Sequence, residues 1–253
     1  MSGSHAHALH FHGHSAVHHL PAETKLIGLL LFVLSVVSTP PSVMWAFSGY
    51  ALILMIVLGL SEVPARFFIT RMAIEGPFVL FALLIPFVGL PPKISLGPLS
   101  VSEPGLLSAW NILVKATLGT GASVLLAATT EIPDLLRGLQ RLKVPTILVA
   151  IASFMIRYLD VVAGEFRRTR VAMAARGHNP RTLFDAKPLA VASGALFIRS
   201  YERGERVHQA MLARGYTGTW PLTGQATIPW QTWARGLAPA VGAMTIAIVA
   251  RLL

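Results

Sequence analysis

Cysteine is missing from all 253 residues, and charge is scarce: 13% of the chain is Asp, Glu, Lys or Arg, with 11 acids against 21 basic residues. The first absence excludes a disulfide framework, a thiolate metal site and a cysteine nucleophile. The second, set beside 54% hydrophobic residues and a mean hydropathy of +0.63, excludes a soluble domain of this length. Catalytic signatures are missing too. There is no His-Glu-x-x-His pair, no Gly-x-Ser-x-Gly elbow, no carboxylate pair inside an apolar run, and no Gly-x-x-x-x-Gly-Lys phosphate loop. No catalytic residue, cofactor or metal site is therefore assigned, and any ATP used must be hydrolysed by a partner. What remains is an all-α, polytopic membrane protein.

The net charge of +10 and the pI near 10.9 fit either nucleic acid or the Lys and Arg excess of cytoplasmic loops. The basic residues are interleaved along helices between apolar runs, without gathered stacking aromatics, so nucleic acid is set aside as a partner. The lipid bilayer takes its place.

One phrase is written twice: Ala172-Met173-Ala174-Ala175-Arg176-Gly177 and Ala210-Met211-Leu212-Ala213-Arg214-Gly215. Each copy follows a run without proline that carries apolar residues at helical spacing, Val162, Phe166 and Met173 in one, Val207 and Met211 in the other. Gly just past the last periodic residue is a helix stop, because it enters the left-handed region without steric penalty. Arg176 and Arg214 thus sit at helix C-termini, each with a Met three residues back on the same face. An Arg there gains about 0.3–1 kcal/mol from the macrodipole alone. Two near-identical tips 38 residues apart ask for more: an apolar knob beside a cation fits a socket with an acidic wall, and duplicate tips suit a two-fold partner.

In chain order, residues 1–22 form a tail holding seven of the nine histidines, at 5, 7, 10, 12, 14, 18 and 19. Such tracts can bind Ni²⁺, Co²⁺, Zn²⁺ or Cu²⁺ without naming the metal, or can be an inert tail. Residues 23–130 carry four expected spans. The first, Leu26 to Ser38, reaches the roughly 20 residues a bilayer needs only if it starts near Glu23 and runs to Thr39. Val43 to Leu60 is the second, with Arg66 and Arg71 in the connection after it. The third is about Ile74 to Leu90, and residues 91–105 read as a Pro- and Gly-rich loop. About Leu106 to Thr130 is the fourth, with Lys115 inside it, five residues from Trp110 and able to snorkel. Residues 131–216 hold 14 of the 21 Lys and Arg and read as amphipathic helices on or under the membrane, near Pro133–Leu142, Pro145–Arg176 and Pro188–Arg214. Asn179 and Pro180 mark the turn between the long pair. Residues 217–253 are a linker and a fifth span from about Trp233. The positive-inside count puts the N-terminus, the 61–73 connection and both Arg tips in the cytoplasm.

These residues resemble the T component, the transmembrane coupling subunit, of energy-coupling-factor transporters, most closely its cobalt-type branch. The resemblance runs from Leu20-Pro21-Ala22-Glu23-Thr24-Lys25 through Ile132-Pro133-Asp134-Leu135-Leu136, Val144-Pro145 and Arg157-Tyr158-Leu159-Asp160 to the paired Ala-Arg-Gly signatures. One departure is visible: that family usually opens its first span with Asp-Pro-Arg-x-Lys, and here the acid is displaced to Glu23. The resemblance implies crossed coupling helices whose tips, Ala175, Arg176, Gly177 and Ala213, Arg214, Gly215, supported by Met173 and Met211, each dock on one of two cytoplasmic ATP-binding cassette ATPases. It further implies a substrate-binding membrane (S) subunit carried on an apolar face that includes Ile147, Ile151 and Phe154, with a small accessory membrane subunit as an optional further member. The implied setting is the bacterial inner membrane and the implied cargo is Co²⁺. The same component serving a nickel or vitamin system is the alternative, as is a stand-alone Ni²⁺/Co²⁺ carrier. The carrier would need ionisable ligands inside the spans, which offer only Lys115 and Glu75.

Overall fold

Proline pairs, isolated glycines and the lengths of the apolar runs divide this chain, and the helices end where those signals fall. The computed structural model describes residues 11, 13, 15–88, 93–96, 99–178, 187–218 and 229–252. They form two compact units, Leu9–Gly138 with Ala226–Leu253, and Leu139–Gln225.

The first unit contains α1 (Ala22–Ser38), α2 (Met44–Ser61), α3 (Ala65–Met72), a 3-10 turn (Ala73–Glu75), α4 (Gly76–Val88), α5 (Glu103–Thr129), most of α6 (Ile132–Arg141) and α9 (Trp230–Leu252). The second contains α7 (Thr146–Ala175) and α8 (Lys187–Ala213). In the first unit α1 packs on α9 and α5, α2 on α9 and α5, and α4 on α5. Phe32, Val36, Phe47, Tyr50 and Leu118 make its core with small residues of α5 and α9. The α9 face is a stripe of buried alanines, Ala240, Ala243, Ala247 and Ala250, whose small side chains let helix backbones approach within a membrane. The closest approach is at Gly236, where a β-carbon would lie 2.7 Å from Thr24 Cβ.

Among the described residues, five helices are long and apolar enough to cross a membrane: Met44–Ser61, Ala65–Phe87, Glu103–Thr129, Thr146–Ala175 and Trp230–Leu252. The polytopic all-α class stands, and the second to fifth expected spans are among these five. At 17 residues, about 26 Å, α1 is the shortest of the expected spans and at the lower end of the roughly 17–25 residues that cross a bilayer. Thr146–Ala175, expected to lie on or under the membrane, is long and apolar enough to cross it, because Arg157 and Asp160 are the only charges in its first 19 residues. Arg66 and Arg71, expected in a connection, stand on α3, which the 3-10 turn joins to α4 as one span. The 91–105 segment is also more ordered than a loop: Lys93–Leu96 (β1) and Leu99–Ser102 (β2) pair antiparallel, Lys93 opposite Ser102. Ser102 then caps α5, its Oγ accepting the Gly105 N–H at 3.2 Å, a usual helix start. The expected turn at Asn179 and Pro180 lies outside the described residues.

Candidate functional site

Both signature copies fold into the same helix ending. In the first, the His178 N–H donates to the Met173 carbonyl at 3.1 Å and the Gly177 N–H to the Ala174 carbonyl at 3.0 Å. In the second, the Tyr216 N–H donates to the Met211 carbonyl at 3.0 Å and the Gly215 N–H to the Leu212 carbonyl at 2.9 Å. These are paired six-to-one and five-to-two bonds of Schellman caps. Gly177 and Gly215 have φ of +81° and +82°, the left-handed region that the cap demands. The repeated phrase has a geometric reason: its Met supplies the carbonyl that closes the cap, its Gly makes the reversal, and its Arg occupies the C-cap between them. Met173 and Met211 are half-buried, whereas Arg176 and Arg214 are exposed. Neither guanidinium has a hydrogen-bond or ion-pair partner among the described residues. Each is a planar, permanently charged fork at the negative end of a helix, suited to a carboxylate on another molecule.

An ion pair joins the two helices behind the tips. Arg203 of α8 donates through Nη2 to Oε1 of Glu165 of α7, both side chains being largely shielded at 30% and 17% exposure. Sequence reasoning missed this pair, although a signal was there: Glu165 and Arg203 are 38 residues apart, the spacing of the two tips. Each therefore stands 11 residues before its own tip Arg, about 16 Å along the helix. Eleven residues are almost three whole turns, so Glu165 shares a face with Arg176, and Arg203 with Arg214. The contact of α7 with α8 thus joins equivalent positions of the two helices, equally far in sequence from the two tips.

Further back on α7, Ile147, Ile151, Met155 and Leu159 are spaced by four and are all at least half exposed. Ile147 and Ile151 thus lie on an uncovered apolar stripe. Phe154 differs from them: it is half-buried and its ring stacks on Tyr158 at 6.4 Å, at the stripe's edge.

Several ionic groups of the other unit are occupied in holding helices together. Lys25 Nζ donates to the Thr129 carbonyl at 2.8 Å, to Thr130 Oγ1 at 3.2 Å and to the His18 carbonyl at 3.3 Å. Lys115 donates to the Val37 carbonyl at 2.9 Å, near the end of α1, and Arg251 donates to the Ser38 carbonyl at 3.0 Å through Nη2. Each cation thus meets carbonyls at the end of a helix, which have no partner within it. Glu75, buried at the 3-10 turn, accepts the Thr117 hydroxyl at 2.7 Å. Of the histidine tract only His18 and His19 are described. The His18 ring nitrogens lie 2.7 Å from Ser15 Oγ and 3.1 Å from the Phe11 carbonyl.

Comparison with known proteins follows from this geometry. The family model for CbiQ, cobalt transport protein, matches residues 13–225, a range that includes both tips and the ion pair. The chain is 30% identical over 202 residues to the cobalt transport protein CbiQ of Rhodobacter capsulatus, covering 78% of each. It is 29% identical over 236 residues to the energy-coupling factor transporter transmembrane protein EcfT of Bacillus subtilis, covering 86% of this chain and 87% of that one. The EcfT 1 protein of Listeria monocytogenes is 26% identical over 226 residues. The chain belongs to the CbiQ family of cobalt transport proteins, the cobalt-type T components of energy-coupling-factor transporters. It is a multi-pass membrane component of a transporter.

Proposed function

We propose that this chain is the coupling subunit of a cobalt importer and passes motion from two ATP-binding cassette ATPases to a substrate-binding membrane subunit. One observation carries the reading: two identically capped tips, each with an Arg that has no partner among the described residues, stand equally far along their helices from a shared ion pair. A dimeric ATPase offers two equivalent grooves, and two matched tips reach them. Arg176 and Arg214 each pair with an acid in a groove, beside the apolar knob of Met173 or Met211. Ala175, Gly177, Ala213 and Gly215 keep the tips narrow enough to enter. The exposed stripe of α7, with Ile147 and Ile151 on it and Phe154 at its edge, carries the substrate-binding subunit. The tips face the cytoplasm of a bacterial cell and the N-terminus lies on the same side, by the distribution of Lys and Arg. ATP is hydrolysed by the partners. Co²⁺ is the cargo, in keeping with the cobalt transport name of the family and of the Rhodobacter relative.

The stand-alone carrier is disfavoured because, of the two ionisable groups in the expected spans, Lys115 is a cation and cannot ligate a metal cation, and Glu75 accepts the Thr117 hydroxyl. Replacing Arg176 and Arg214 together by Ala is expected to abolish cobalt uptake while the chain still reaches the membrane. Uptake retained in that double variant refutes the reading.

A further inference from the structure

Apart from the tips and their stripe, the bundle unit has a half-open cavity of about 640 Å³ between α1, α2, α5 and α9. Leu29, Phe32, Ile53, Leu54, Leu125 and Leu126 are among the apolar residues that line it. A volume of this size lies within the range of roughly 300–1,000 Å³ typical of ligand sites. Pro239 contributes to the opening: inside α9 it has no N–H to give the Arg235 carbonyl and its ring spreads the helix there.

Three features restrict what can fill the space. Its walls are mostly apolar, which favours hydrocarbon over ordered water, a species that needs two to four polar partners. The lining residues of the four helices, 25–32, 53–60, 122–129 and 232–239, all lie toward the same ends of these helices, the ends that the proposed topology puts in the cytoplasmic leaflet. The charge on the lining is of one sign: Lys25 and Arg235 line it, and no acid does among the described residues. Lys25 has its three donors committed to His18, Thr129 and Thr130, so it contributes positive potential only. Arg235 is exposed and has no hydrogen-bond or ion-pair partner among the described residues, so its N–H groups are free for a ligand.

We propose that this cavity holds an acyl chain of one anionic phospholipid whose phosphate is bound by Arg235. An apolar hole at acyl depth takes hydrocarbon, and a free guanidinium at its mouth selects the headgroup by charge. Basic pockets between helices on the cytoplasmic side are where such lipids are held.

The full chain, purified in mild detergent, is offered dioleoylphosphatidylglycerol or dioleoylphosphatidylcholine, and retained lipid is counted by native mass spectrometry. Wild type is expected to retain one phosphatidylglycerol, with a preference over phosphatidylcholine of about fivefold, the share of one basic residue at an anionic headgroup. Arg235→Gln removes the preference and Arg235→Lys keeps most of it. Val57→Phe, which fills the cavity from α2, removes retention of both lipids. Arg251→Gln, at the far end of α9, changes neither. Equal retention of the two lipids by wild type overturns the proposal, as does an unchanged preference in Arg235→Gln or undiminished retention in Val57→Phe. None of these readouts involves ATPase subunits, so they are independent of the coupling reading.

Discussion

Lys25 ties the start of α1 to the end of α5 by placing three N–H donors on three oxygens. Replacing it with Met leaves the Thr129 and Thr130 oxygens without that donor, in a place where lipid offers no substitute. Lys25→Met is expected to lower stability by about 1–3 kcal/mol, read as an earlier unfolding midpoint of the detergent-solubilised chain, with Lys25→Arg recovering part of the loss. An unchanged midpoint contradicts this role. At the tips, Gly177 and Gly215 hold φ near +80° with open space around them, so strain rather than crowding penalises a side chain. Gly177→Ala and Gly215→Ala are each expected to loosen the cap by about 1–2 kcal/mol, seen as faster amide exchange at His178 and Tyr216. These two glycines were legible in the sequence, because a helix stop is local. The partner of Lys25 was not, because it lies 104 residues away and no local pattern announces it.

At the scale of elements, the ion-paired crossing makes the sharpest demand. Glu165→Arg or Arg203→Glu puts like charges at the contact of α7 with α8 and is expected to push the arms apart. Cobalt uptake then falls steeply, although both tips are intact. The double exchange, Glu165→Arg with Arg203→Glu, restores the attraction and is expected to recover uptake well above either single variant; failure of the pair to rescue removes the crossing from the mechanism. Gly236 is the corresponding demand in the bundle, because a β-carbon there meets Thr24. Gly236→Leu is expected to separate α9 from α1 and reduce the amount of chain recovered folded from membranes. Most helices were readable from proline, glycine and apolar period, and the ends of α7 and α8 fell within a residue or so of expectation. The hairpin was not, since Pro91-Pro92 and Gly97-Pro98 signal turns whether or not the four-residue runs beside them pair. Nor could periodicity decide whether α7 crosses the membrane or lies along it, since an apolar stripe serves either setting. The ion pair was hidden for a related reason: a single Glu and a single Arg carry no pattern until the 38-residue register is applied to them.

For the whole molecule, one unit is a bundle in which Lys25, Lys115 and Arg251 bind helix ends, and the other presents Arg176 and Arg214 outward on two matched tips. That division of labour suits a subunit that stays anchored while its arms follow a motor. The absence of native cysteine makes the decisive measurement clean: Ala175→Cys and Ala213→Cys, introduced singly into the full chain, place one thiol on each tip. Membranes containing the assembled transporter, treated with a short bifunctional thiol reagent against ATPase subunits carrying a cysteine in the groove, report where each tip lies. The account expects both tips to cross-link, each to one ATPase copy, with yields that change in parallel when ATP is added. Cross-linking at one tip only, or at neither while uptake persists, contradicts it.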